Sequence, residues 1–155
     1  MQHEHTYQIK TEWTGKEADG NKNIKTYSRS HTISNQGKPD LHLTTDNAAV
    51  GDKSKLNPED LLVSAISSCH MLSYLYVCAM EGIIVTEYID QAMGVMIEKT
   101  NGGGQFKSVT LNPNIKVKHE DMIPKAIELH HKAHEICYIA NSVNFEVICN
   151  PTCSI

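Results

Sequence analysis

Apolar and polar positions alternate at the start of the chain. Tyr7, Ile9 and Trp13 fall on one side of the run Tyr7-Gln-Ile-Lys-Thr-Glu-Trp13, the period of a half-buried strand. Residues 15–23 are polar and glycine-bearing and read as a turn. Residues 24–33 form a second, less regular strand pattern that carries Arg29. Gln36-Gly-Lys-Pro39 breaks it, Leu41-His-Leu43 reads as a short third strand, and residues 46–56 as a polar loop.

The longest signal is a helix. Asn57 suits the cap, Pro58 the first helical position, and Glu59 and Asp60 complement the positive end. Residues 61–81 follow without Gly or Pro, and Gly82 ends the run. Leu61, Leu62, Ala65, Ile66, Cys69, Leu72 and Tyr76 recur at helical spacing. The other side carries Ser64, Ser67, Ser68 and His70, none of them charged. The pattern predicts a helix buried on nearly all sides. One small domain struggles to wrap such a helix, so a partner chain is expected to cover part of it.

Residues 83–98 are apolar and β-branched and read as a strand interrupted near Asp90. Asn101-Gly-Gly-Gly104 is a hairpin connection, and residues 106–117 form the returning strand. A second helix opens at Pro124 and runs to 137 or 140. Residues 144–148 make a last strand. The order predicts an α+β fold with helices grouped against antiparallel sheet, in a single domain spanning 1–155 with 149–155 as a C-terminal tail.

Charge narrows the function classes. With 14 basic and 18 acidic residues the net charge is −4, and there is no Lys/Arg block, which speaks against nucleic acid. No apolar run is read as long enough to span a bilayer, and residues 1–6 lack the cationic and apolar parts of a signal peptide. The expected address is the cytoplasm, with no membrane partner. Five cysteines, Cys69, Cys78, Cys137, Cys149 and Cys153, make an odd set without an export signal. That favours thiol chemistry or metal binding over a disulfide framework. Arg29 is the sole arginine, a position where a planar, permanently charged fork is one explanation and a lysine-rich composition the other.

The cysteines carry the candidate chemistry. Cys69 sits mid-helix among apolar neighbours, either as a small core residue or, beside a cation, as a reactive thiolate. His130, His134 and Cys137 are spaced by four and three on one helix face, a set that fits three zinc ligands, with Cys69 or His70 as the fourth, or a helix-packing surface. Cys78 reads as a packing residue. Cys149 and Cys153 have three residues between them, too many for a Cys-x-x-Cys redox motif, and read as tail thiols without a role. The glycine run at 102–104 leads into a strand rather than a helix, so it is not a phosphate loop.

Two segments together resemble one family. Asn57-Pro-Glu-Asp-Leu-Leu-Val-Ser-Ala-Ile-Ser-Ser-Cys-His70 and Ala133-His-Glu-Ile-Cys137 are similar to the paired cysteine motifs of the OsmC/Ohr family, the osmotically inducible and organic hydroperoxide resistance proteins. The resemblance runs from about Tyr7 to Ile148. It implies an α+β OsmC-like fold, with antiparallel sheets wrapped around long central helices in an intertwined homodimer. It also implies a thiol peroxidase that reduces organic hydroperoxides to alcohols. By position, Cys69 would be the peroxidatic thiol and Cys137 the resolving thiol, with Arg29 holding the thiolate and Glu59 holding Arg29. No cofactor is expected beyond an external dithiol reductant. Ten helical residues rise roughly 15 Å, so Glu59 is expected to serve the Cys69 of the other subunit. His70-Met after the first cysteine and Tyr138-Ile-Ala-Asn-Ser after the second set the chain in a less characterised branch. The alternatives are a zinc-binding protein using His130, His134 and Cys137, and a small apolar ligand-binding protein using the same pocket.

Overall fold

The computed structural model describes residues 3–47 and 49–155. Met1 and Gln2, in the segment read for a signal peptide, and Ala48, in the 46–56 loop, lie outside the described residues. The chain forms two compact units, Met1–Leu61 and Leu62–Ile155.

The first unit is a three-stranded antiparallel sheet in the order β1 (Lys10–Trp13), β2 (His31–Ser34), β3 (Leu41–Leu43). β2 begins seven residues later than the apolar pattern suggests. The amides of Thr26 and Tyr27 both turn back to the Asn23 carbonyl, and the Trp13 indole donates to the Ser28 carbonyl at 2.7 Å. These bonds take residues 24–30 out of the ladder. Arg29 therefore lies in the segment leading into β2, not on a strand.

Helix α1 (Pro58–Met80) starts where the sequence places it. The Asn57 side chain accepts from the Asp60 amide at 2.8 Å, and the Asp60 carboxylate accepts from the Asn57 amide at 3.1 Å. This reciprocal box satisfies the first free amide groups of the helix. At the other end Gly82 takes φ +73, the Ile83 amide reaches the Cys78 carbonyl at 2.9 Å and the Gly82 amide reaches Ala79 at 3.3 Å. That pair of bonds is a Schellman closure, which needs a residue tolerant of positive φ.

Burial on α1 is narrower than its composition suggests. Ile66, His70, Tyr74, Val77 and Cys78 form one buried row, while Leu72, Tyr76 and Met80 stay 61–70% exposed. The second unit, Leu62–Ile155, adds one further long helix and two three-stranded sheets, which leave that side of the helix open. His70 belongs to the buried row rather than to the polar side. By length and composition α1 is also long and apolar enough to cross a membrane, which corrects the expectation that no run is. Its buried row is packed into the protein core instead.

The second unit holds two sheets. One runs β4 (Val85–Asp90), β7 (Pro113–Val117), β9 (Thr152–Ser154); the other runs β5 (Met93–Glu98), β6 (Gly104–Leu111), β8 (Glu146–Cys149). Each long apolar run in the sequence thus divides between both sheets. The break is held by Asn112, whose amide donates to the Asp90 carboxylate at 2.7 Å and whose side chain donates to the Gln91 carbonyl at 3.0 Å. Pro113, with no N–H, follows. The hairpins are antiparallel, but β8 and β9 add in parallel to β6 and β7. The expected tail is therefore a strand: Cys153 sits in β9 opposite Ile115, and Cys149 ends β8.

Helix α2 (Ile123–Ile136) covers the first sheet. Tyr74, Val77, Ile115, Val117, Ala126, Leu129 and Ala133 form one core; Ile66, Val109 and Leu111 centre the other. Gly94 lets β5 approach closely, since a Cβ there would lie 2.7 Å from both the Phe106 ring and a Val63 methyl.

Removing the N-terminal box of α1 should be measurable. Asn57→Ala should lower unfolding free energy by about 1 kcal/mol in urea titration. A midpoint unchanged from wild type would show that the box does not support the helix.

Candidate functional site

The two motif cysteines meet in the second unit. Cys69 projects from α1 and is half-buried; Cys137 stands at the C-terminal cap of α2 and is fully buried. The Cys137 thiol is pushed above its ordinary value by burial and by its hydrogen bond to Cys69. Burial penalises a thiolate, and a second thiol beside it adds no compensating positive charge. The pair brings a thiol of α1 beside one at the end of α2.

Arg29 lies in the first unit. Its guanidinium donates to the Tyr27 carbonyl and, at 2.7 Å, to the Ile24 carbonyl, and it lies over the Tyr27 ring. Arg29 and Glu59 line one pocket of about 550 Å³ with Trp13, Tyr27, His31 and Thr44. Among the described residues no ion pair joins Arg29 to Glu59.

The zinc set read from one face of α2 does not assemble. His130, His134 and Cys137 share a face by spacing, but among the described residues the histidine that meets His130 is His70, and the thiol is Cys149. His70 Nε2 lies 3.0 Å from His130 Nδ1, and Cys149 Sγ lies 3.6 and 3.7 Å from those two nitrogens. Tyr74 stacks on His130 with ring centroids 3.8 Å apart and donates its hydroxyl to the Ala126 carbonyl. Burial lowers His70 to about 4, with His134 adding to the effect, and lowers His130 to about 3, with His70 adding to it. Both imidazoles are neutral at pH 7. Burial raises the Cys149 thiol to about 11, helped by Asp90.

Sequence reasoning missed Cys149, which it left in a tail. It also set His70 on the wrong side of α1, although His70 falls four residues from both Ile66 and Tyr74, the spacing of the buried row. Cys78 packs in the core as expected.

Comparison with known proteins settles the family. The family model described as OsmC-like protein matches residues 51–151, more than half the chain. The chain belongs to the OsmC-like protein family. No curated protein matches it. Among solved structures it is similar to an OsmC-like protein of unknown function from Vibrio cholerae, with 27% identity over 96% of this chain and 100% of that one and a TM-score of 0.85. An organic hydroperoxide resistance protein from Elizabethkingia anophelis shares the fold at 23% identity, 98% and 100% coverage and TM-score 0.72. OhrB of Bacillus subtilis, an organic hydroperoxide resistance protein, shares it at 20% identity, 94% and 98% coverage and TM-score 0.62. The α+β architecture of this OsmC-like protein is thus the family's.

The raised Cys137 value has a direct consequence. At any pH its thiolate fraction lies below that of an ordinary thiol. In the reduced protein, alkylation of Cys137 followed by peptide mapping should rise about tenfold per pH unit and keep rising beyond pH 9.0, the ordinary value. A plateau at or below that pH would contradict the burial effect.

Proposed function

We propose that this OsmC-like protein is a cysteine-based peroxidase that reduces organic hydroperoxides to alcohols. Family membership supports a redox or peroxide-related role, and the nearness of Cys69 to Cys137 carries the finer reading. The Cys69 thiolate attacks one peroxide oxygen, the O–O bond breaks, and the alkoxide leaves with a proton as the alcohol. Cys69 is now a sulfenic acid. The Cys137 sulfur attacks it, water leaves, and a Cys69–Cys137 disulfide forms before a second peroxide can over-oxidise Cys69. An external dithiol then reduces the disulfide by exchange. No bound cofactor takes part, and dependence on a dithiol fits the reducing cytoplasm.

Arg29 is the positioning cation of this proposal. A guanidinium beside Cys69 would raise its thiolate fraction and stabilise charge on the leaving alkoxide. Glu59, which lines the same pocket as Arg29, would set the guanidinium's orientation.

A second copy of the chain is the proposed partner. Leu72, Tyr76 and Met80 on α1, with Met93, Met96 and Ile97 on β5, leave apolar surface open in one chain. Exposed apolar side chains on a helix face and a sheet edge are what a second copy would cover.

The chemistry is tested by intact mass and free-thiol count after one equivalent of an organic hydroperoxide. Wild type should lose two thiols and about 2 Da per chain, Cys137→Ser should hold a sulfenic or over-oxidised Cys69, and Cys69→Ser should not respond. Equal, slow reaction of all three would refute the peroxidase. Light scattering should give a dimer of twice 17.3 kDa. Mixed dimers of Cys69→Ser and Glu59→Ala subunits should recover activity that neither parent shows; a monomer, or inactive mixed dimers, would overturn the shared site.

A further inference from the structure

The peroxidase cycle leaves one buried cluster unused. His70, His130 and Cys149 come from α1, α2 and β8, three elements of the same unit. Both histidines are at least nine-tenths buried. Among the described residues His70 Nδ1 and His130 Nε2 have no hydrogen-bond partner, and the polar contacts of the two rings point toward each other and the Cys149 sulfur. The facing nitrogens, not the unpartnered ones, are therefore the candidate ligand atoms, and with the Cys149 sulfur they bring two imidazoles and a thiol together in a buried place.

The spacing of the three facing atoms fits a small cation. The three facing atoms form a triangle with sides of 3.0, 3.6 and 3.7 Å. The point equidistant from its corners lies about 2.0 Å from each, from the circumradius of those sides. Zinc binds imidazole nitrogen at about 2.0–2.1 Å and thiolate at about 2.3 Å, so an ion slightly out of the plane meets all three. Neutral imidazole and thiolate suit zinc and reject the hard cations magnesium and calcium. On the open side lies a pocket of about 320 Å³ lined by His130, His134, Cys149 and Pro151. Two of the three candidate ligands, His130 and Cys149, thus border a pocket.

We propose that His70 Nε2, His130 Nδ1 and Cys149 Sγ form a zinc site in this protein. Binding takes the proton of the Cys149 thiol, which leaves to solvent as the Zn–S bond forms. Both imidazoles bind in their neutral form, with their protons on His70 Nδ1 and His130 Nε2. Neither nitrogen has a partner holding the opposite tautomer. The site shares no ligand with the Cys69–Cys137 pair.

The test uses the full-length, reduced protein freed of metal by a chelator, and involves no peroxide. Its outcome is therefore independent of the proposed peroxidase. Zinc titrated in competition with a chromophoric chelator should bind one ion per chain in wild type and in the Cys69→Ser/Cys137→Ser double variant. Cys149→Ser should weaken binding by about a hundredfold or more. Cobalt in place of zinc should give a thiolate-to-metal charge-transfer band in wild type and the double variant. The proposal fails if no stoichiometric ion binds. It fails equally if the band is lost in the double variant, which would put the metal on Cys69 and Cys137. The comparison of wild type with the double variant decides the matter even where Cys149→Ser folds poorly.

Discussion

The buried row on α1 is the constraint on which the rest depends. Ile66, His70, Tyr74, Val77 and Cys78 must face the sheets and α2, because they hold the apolar interior of the second unit together. An α-helix turns about 100° per residue. Fixing that row therefore fixes where Cys69 and His70, adjacent in sequence, point. Cys69 meets Cys137, and His70 meets His130. Two separate side-chain clusters stand side by side because neighbouring helix positions look in different directions.

The second constraint is electrical. The interior around α1 and α2 holds imidazoles, thiols and tyrosines, and burial disfavours the charged form of each. It pushes both histidines down and the Cys78, Cys137 and Cys149 thiols and the Tyr74 and Tyr88 phenols up. An interior like this stores groups in neutral form, ready for a cation or an electrophile. A thiolate chemistry in such a place needs positive charge from elsewhere, which is the physical reason for giving Arg29 a role. That residue is held by backbone carbonyls and an aromatic face, and no hydrogen bond to a carboxylate neutralises it among the described residues.

A third feature is incompleteness. One chain covers one face of α1 and leaves β5 exposed at every residue. An apolar helix with an uncovered face and a sheet edge of Met and Ile are costly to leave in water. A second copy is the simplest cover, since the same surface is then buried twice.

Sequence alone determined the local elements and the family motif. Asn57, Pro58, Asp60 and Gly82 specify both ends of α1 through hydrogen bonds a few residues long, and period-two patterning marks β7, where Ile115 and Val117 are buried and Asn114 and Lys116 exposed. The spacing of Cys69 and Cys137 within their motifs carried the resemblance, which the family match bears out. The tertiary structure decided the rest. It split the long strands at Asn112, turned the expected tail into β9, took Arg29 off its strand, and brought His130 to His70 and Cys149 instead of joining it to His134 and Cys137. Each of those outcomes rests on partners far apart in sequence, 60 positions for His70 with His130 and 79 for His70 with Cys149. Helical spacing says which residues share a face. It does not say what that face will meet, because that is set by how helices and sheets exclude water together.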